Sequence, residues 1–168
     1  MLSTWSSFYI MIGSSAAALT GLMFVVITLV TRDEDAARSR DGVSTYSTPT
    51  VVHFCAVLLV SAVLVAPWRA LVHPAILTAL AGLGGIVYVA RVIARARRLA
   101  YTPDLEDWVW YHILPLLTYI VLFAGSIALP NAPPEGALAI AATVVILIFI
   151  GIHNAWDVVT FLALPHDL

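Results

Sequence analysis

His53, His112, His153 and Asp157 stand inside stretches that are otherwise almost wholly apolar, and Arg91 and Asn154 do the same. Imidazole and carboxylate can take up and release protons, pair with a cation, or ligate a metal. The last apolar run closes with GIHNAWDVVTF at 151–161, where His153 and Asp157 have the i,i+4 spacing that puts two side chains on one side of a helix. Three histidines and a carboxylate are a ligand set for zinc, iron or copper, and two histidines on separate helices are axial haem ligands. The same residues suit a path for a small ion or solute, with the histidines coordinating or exchanging protons and Arg91 balancing Asp157. A third possibility is that they only hydrogen-bond neighbouring helices. No H-E-x-x-H or C-x-x-C-H motif narrows the choice. Ser61 and Ser126 lie too far from the histidines along their helices to act as nucleophiles with a histidine base, so no enzyme is indicated.

The elements that would carry these groups are set by composition. The chain has 168 residues, 61% hydrophobic and 11% charged, and its mean hydropathy is +0.97. Soluble domains carry roughly 25% charged residues, so the composition points to an all-α membrane protein. A helix needs about 20 apolar residues to cross a bilayer. Five segments qualify, at about 5–31, 48–68, 74–98, 105–129 and 136–164. They form a single transmembrane domain, and the runs are continuous rather than alternating, which excludes membrane strands. The first run continues well past the small residues SSAAA at 14–18 and no positive charge precedes it, so it is expected to remain as an uncleaved span.

Arginine sets the expected orientation, since the chain contains no lysine. Arg32, Arg38 and Arg40 follow the first span, and Arg95, Arg97 and Arg98 end the third. With an odd number of spans this puts the N-terminus outside and the C-terminus in the cytoplasm. His53, Arg91, His112, His153 and Asp157 then share one slab within about 15 Å of the cytoplasmic surface, at 1.5 Å of rise per residue. Helical phase gives an interior face to each span: Thr50, His53, Val57 and Ser61; Gly84, Tyr88, Arg91 and Arg95; Trp108, His112, Tyr119 and Ser126; Thr143, Ile146, Ile150, His153, Asp157 and Thr160. Val144, Ile148 and Ile152 fall on the opposite face of the last span, expected to meet lipid. Pro115 cannot donate to the carbonyl of Tyr111, which places a kink beside His112. Cys55 points away from His53 and reads as a buried apolar side chain.

In the first span Gly13, Ala17 and Gly21 form a row of small residues that lets another helix approach closely, in the same chain or in a second copy. A chain of this size encloses little space alone, so a homo-oligomer is expected. The dispersed arginines make no nucleic-acid surface. The aromatic run DWVWYH at 107–112 suits the interfacial belt of a bilayer, and the acidic residues Asp104, Glu106 and Asp107 suit a helix N-terminus, a clamp to Arg95, Arg97 and Arg98, or an acidic mouth.

The opening FYIMIGSSAAALTGLMFVVITLV resembles the first span of small multi-pass bacterial membrane proteins of uncharacterised role, which share an aromatic, a Met, a run of small residues and ALTGLMFV. The resemblance covers about thirty residues. It implies a bacterial inner-membrane protein and transfers no activity, cofactor or site. The expectation is thus a multi-pass channel or transporter-like protein for a small ion or solute. The alternatives are a metal- or haem-binding protein and a structural subunit.

Overall fold

The computed structural model describes residues 2–30, 40–96 and 105–163. A single 3-10 turn at Leu2–Trp5 leads into α1 (Ser6–Val30), followed by α2 (Arg40–Val65), α3 (Val72–Ala96), α4 (Leu105–Ala128) and α5 (Pro133–Ala163). All five are long and apolar enough to cross a membrane. The boundaries follow local chemistry. α2 stops two residues before Pro67, which cannot continue a helix's hydrogen bonding. Proline is tolerated in a first turn, where its missing N–H costs nothing, and α5 accordingly starts on Pro133 and Pro134. Segments 31–39 and 97–104, which hold Arg32, Arg38, Arg97, Arg98 and Asp104, lie outside the described residues, so the expected acidic clamp to those arginines does too.

The helices run up and down. Tyr9 of α1 bonds the carbonyl of Ala137 near the start of α5, and Tyr111 near the start of α4 bonds that of Asn154 near the end of α5. Helices α2, α4 and α5 make the centre, with α1 laid against α2 and the edge of α5, and α3 against α4 and the edge of α2. Burial follows this order: 56% of the apolar window of α5 is buried, against 17% for α1 and 22% for α3.

That arrangement corrects several expected faces. On α2, Thr50, His53, Val57 and Ser61 are all buried, as their phase indicates. On α5 the buried row is Ile140, Val144, Leu147, Gly151, Asn154 and Val158. Val144 and Ile148 therefore face protein, and Ile146, expected inside, is 40% exposed. α5 is covered from two sides, so its buried arc is wider than a single stripe and His153 and Asp157 fall on its edge. On α3 the buried row is Ala75, Thr78, Gly82, Gly85 and Val89, while Gly84, Arg91 and Arg95 are exposed. On α1, Gly13 is buried against Ser61, and the row continues through Ala16 and Met23. Ala17 and Gly21 are exposed, and nothing lies within 4 Å of where a Gly21 side chain would begin. Cys55 is exposed as well. On α1 the cause is that the helix is apolar all round, so polarity does not mark which side meets the bundle; on α3 the arginines turn outward and the small residues Gly82 and Gly85 take the inner side.

Candidate polar site of the bundle core

His53 is 1% exposed, and its Nδ1 lies 2.9 Å from the hydroxyl of Tyr119, itself wholly buried. Two glycines make this link between α2 and α4 possible. The ring of Tyr119 occupies the space that a side chain at Gly85 of α3 would need. Beside His53, the ring of Phe54 does the same at Gly151 of α5. Large aromatic side chains thus seat against bare backbone and fix α4 against α3 and α2 against α5. His53 Nε2 is buried with no hydrogen-bond partner among the described residues. If the Tyr119 hydroxyl donates to Nδ1, Nε2 carries the ring proton; if Nδ1 donates to the phenol oxygen, Nε2 is a bare acceptor.

His112 sits in a different local structure. Residues Val109–Ile113 form a π-helical turn, with the N–H of Leu114 donating to the carbonyl of Val109. The turn lies just before Pro115, which has no N–H to give, so the shift of the ladder and the missing donor fall at the same place, and the helix has α geometry from Leu114 onward. The kink expected from Pro115 is this turn. It buries both Tyr111 and His112. Both ring nitrogens of His112 are buried and lack a well-formed hydrogen bond among the described residues, the backbone of Asp107 one turn back being the polar group that acts on the ring, and the ring lies 4.7 Å from that of Trp108. The Tyr111 hydroxyl reaches the Asn154 carbonyl at 3.4 Å, tying this turn to α5. The Asn154 side chain is wholly buried, and neither its oxygen nor its nitrogen has a hydrogen-bond partner among the described residues.

Below this core, at the end of the bundle where α4 begins, His153 stacks on Trp110 at 3.9 Å with the rings 8° from parallel. Its Nε2 lies 3.5 Å from Glu106 and its Nδ1 3.2 Å from Asp157. The Nδ1 contact has the distance of an ion pair without the geometry of a hydrogen bond. The side chains of His153, Glu106 and Asp157 are 25%, 71% and 41% exposed, so this group is a rim open to its surroundings.

The six expected residues therefore separate into three places. His53, His112 and Asn154 are in the buried core; His153 and Asp157 are on the rim; Arg91 is on the outer surface of α3. The expected Arg91–Asp157 pair is not formed, because α3 packs on α4 and α2 rather than on α5, and His153 takes the carboxylate instead. The expected metal set of His53, His112, His153 and Asp157 is not assembled either. Among the described residues no group of three or more His, Cys, Asp or Glu side chains could hold a metal ion. Tyr119, Tyr111, Trp110 and Glu106 enter as partners that sequence reading had not assigned. Tyr119 carried a signal, since it shares a helical face with His112 seven residues away.

Comparison with known protein families, with characterised proteins and with solved structures gives no match. The fold and site define an all-helical five-helix bundle, each helix long and apolar enough to span a membrane, with a polar layer across its three central helices.

Proposed function

We propose that this chain is an integral membrane protein that passes a small ion or solute along the polar layer between α2, α4 and α5. The observation that carries the reading is the set of buried polar atoms without a hydrogen bond among the described residues on His53 and Ser61 of α2, His112 of α4 and Asn154 of α5. Leaving a buried donor or acceptor unsatisfied costs about 1–3 kcal/mol, so such groups are normally paired, and an unpaired set calls for an explanation such as a guest that pairs with them. The exposed rim of Glu106, His153 and Asp157 gives that guest a polar entrance.

Insertion in a bilayer is supported by the outer surface. Leu22, Phe24, Val25, Ile76, Leu80, Leu117, Ile127, Leu138 and Phe149 are all exposed and apolar, which in water would be a large sticky patch. Trp5 and Trp68 stand at one end of the bundle, and Trp108, Trp110 and Trp156 toward the other, as interfacial belts require. The arginine distribution favours an outside N-terminus and a cytoplasmic C-terminus, and the opening span's resemblance favours a bacterial inner membrane. The small exposed residues of α1, Ala17 and Gly21, suit contact with a second copy in a homo-oligomer. The test is flux in liposomes holding the purified full chain, assayed for K⁺, Na⁺, Cl⁻, protons and glycerol. Flux of at least one above empty vesicles is expected; leak no greater than empty vesicles for all of them overturns the proposal.

A further inference from the structure

Resting on that reading, we infer that the species carried is the proton, and that the hydrogen-bonded pair His53–Tyr119 is its relay through the centre of the bundle. The argument begins with what the core offers. Its buried polar residues are Thr50, His53, Ser61, Thr78, His112, Thr118, Ser126, Thr143 and Asn154, together with the tyrosines. No aspartate, glutamate or arginine is buried among the residues 48–95 and 105–160 that surround this core. A desolvated anion needs a fixed positive charge, and the nearest candidate of the sequence, Arg91, is exposed. A desolvated alkali cation needs several converging oxygens. Four of the buried hydroxyls, those of Thr78, Thr118, Ser126 and Thr143, donate to the carbonyls of their own helices, which holds each oxygen against its own backbone. The buried side-chain atoms of the core left without a hydrogen bond, on His53, Ser61, His112 and Asn154, include the imidazole nitrogens, which both give and accept a proton.

The geometry supports a relay of this kind. His53 has one nitrogen engaged by a hydroxyl and the other buried and unpartnered. A proton arriving at Nε2 from water forms one N–H bond. The Nδ1 proton then passes to the Tyr119 oxygen as that hydroxyl's own proton leaves to a further water. One N–H and one O–H form, one of each breaks, and the ring ends neutral in its other tautomer. Concerted transfer keeps full charge off a ring that is 1% exposed. Reorientation of the ring and phenol resets the pair. Below it, His112 and Asn154 supply further unpartnered nitrogen and oxygen, and His153 between Glu106 and Asp157 exchanges protons with the surroundings.

The experiment uses the full chain in liposomes with a pH-sensitive dye inside, driven by a K⁺ gradient and valinomycin, in H₂O and in D₂O. Wild type should acidify or alkalinise the lumen with the sign of the potential, and more slowly in D₂O. His53→Gln keeps an amide beside Tyr119 but cannot relay, and Tyr119→Phe removes the hydroxyl. Each should lower the proton rate about 100-fold, the lower range for removal of a proton-transfer group. Circular dichroism and gel filtration confirm that each variant folds, and the isotope effect on wild type stands independently of any variant. Vesicles that pass K⁺, Cl⁻ or glycerol while excluding protons overturn the relay and leave the conduction proposal standing. So do proton rates unchanged in both folded variants, or equal in H₂O and D₂O. Flux of nothing overturns both.

Discussion

The adjacent glycines Gly84 and Gly85 offer a test of the core's geometry that needs no knowledge of activity. They are chemically identical neighbours in AGLGG, yet α3 turns them to opposite fates. A methyl group at Gly84 meets nothing within 4 Å, whereas one at Gly85 would fall inside the ring of Tyr119, against Cδ1, Cε1 and Cγ. Tyr119 cannot swing aside cheaply, since it is wholly buried and bonded to His53. Forcing a methyl into a filled site costs about 1–3 kcal/mol. If the ring moves far enough to release His53, a buried imidazole nitrogen and a phenol are left unpaired, at about 1–3 kcal/mol more. Gly85→Ala should therefore be less stable than Gly84→Ala by about 2–6 kcal/mol from these two contributions. The gain in helix propensity on replacing glycine is common to both variants and cancels in the difference. Unfolding of each variant in mixed detergent micelles, followed by circular dichroism at 222 nm, measures it. Equal stabilities would mean that Tyr119 does not rest on α3 as described, and the positioning of His53 would lose its basis.

Further expectations follow from the same contacts. Asn154→Leu removes two unpartnered polar atoms from a wholly buried site; stability in the same assay should hold or rise, by up to about 2 kcal/mol, while flux in liposomes falls. Glu106→Gln and Asp157→Asn remove one side each of a partly exposed charge group, so each should change unfolding free energy by less than about 1 kcal/mol, with any large effect confined to flux. Gly13→Leu, set against Ser61 Cβ at 2.9 Å from the added carbon, should destabilise the bundle by about 1–3 kcal/mol. Gly21→Leu should leave the monomer's stability unchanged and is read instead by its effect on oligomer size in light scattering. Cys55 is the sole cysteine, so Cys55→Ser with single cysteines added at the termini can report sidedness: maleimide from outside intact cells should label the N-terminal site and spare the C-terminal one.

Five long apolar helices were legible in the sequence because continuous hydrophobic runs bounded by proline and charge allow little else. The interior face of α2 was legible too, since Thr50, His53 and Ser61 punctuate the otherwise apolar stretch that follows Pro49. The faces of α1 and α3 were not. Gly13, Ala16, Ala17 and Gly21 are all small, and choosing between the 13–16 and 17–21 rows depends on which neighbour arrives, a fact of the assembled bundle. Arg91 was misplaced for a related reason: α3 packs on α4 and α2 rather than on α5, and Arg91 lies on its outer side. His153 and Asp157 were correctly taken as partners on one side of a helix, although that side proved to be the edge. The partners Trp110 and Glu106 depend on the π-helical turn, which the rotation of a regular helix cannot foretell.

That turn holds one residue more than an α-helical turn would. Pro115 closes it on the upper side, because the surplus cannot migrate past a residue with no N–H. It can be lost only downward, or by deletion of one residue within 109–113, and either change would turn the segment from Leu105 to Trp108 by about 100° about the helix axis while leaving Tyr119 where it is. The entrance of α4 is therefore geared separately from its centre: Glu106 can be dialled toward or away from His153 with no repacking of the residues around His53.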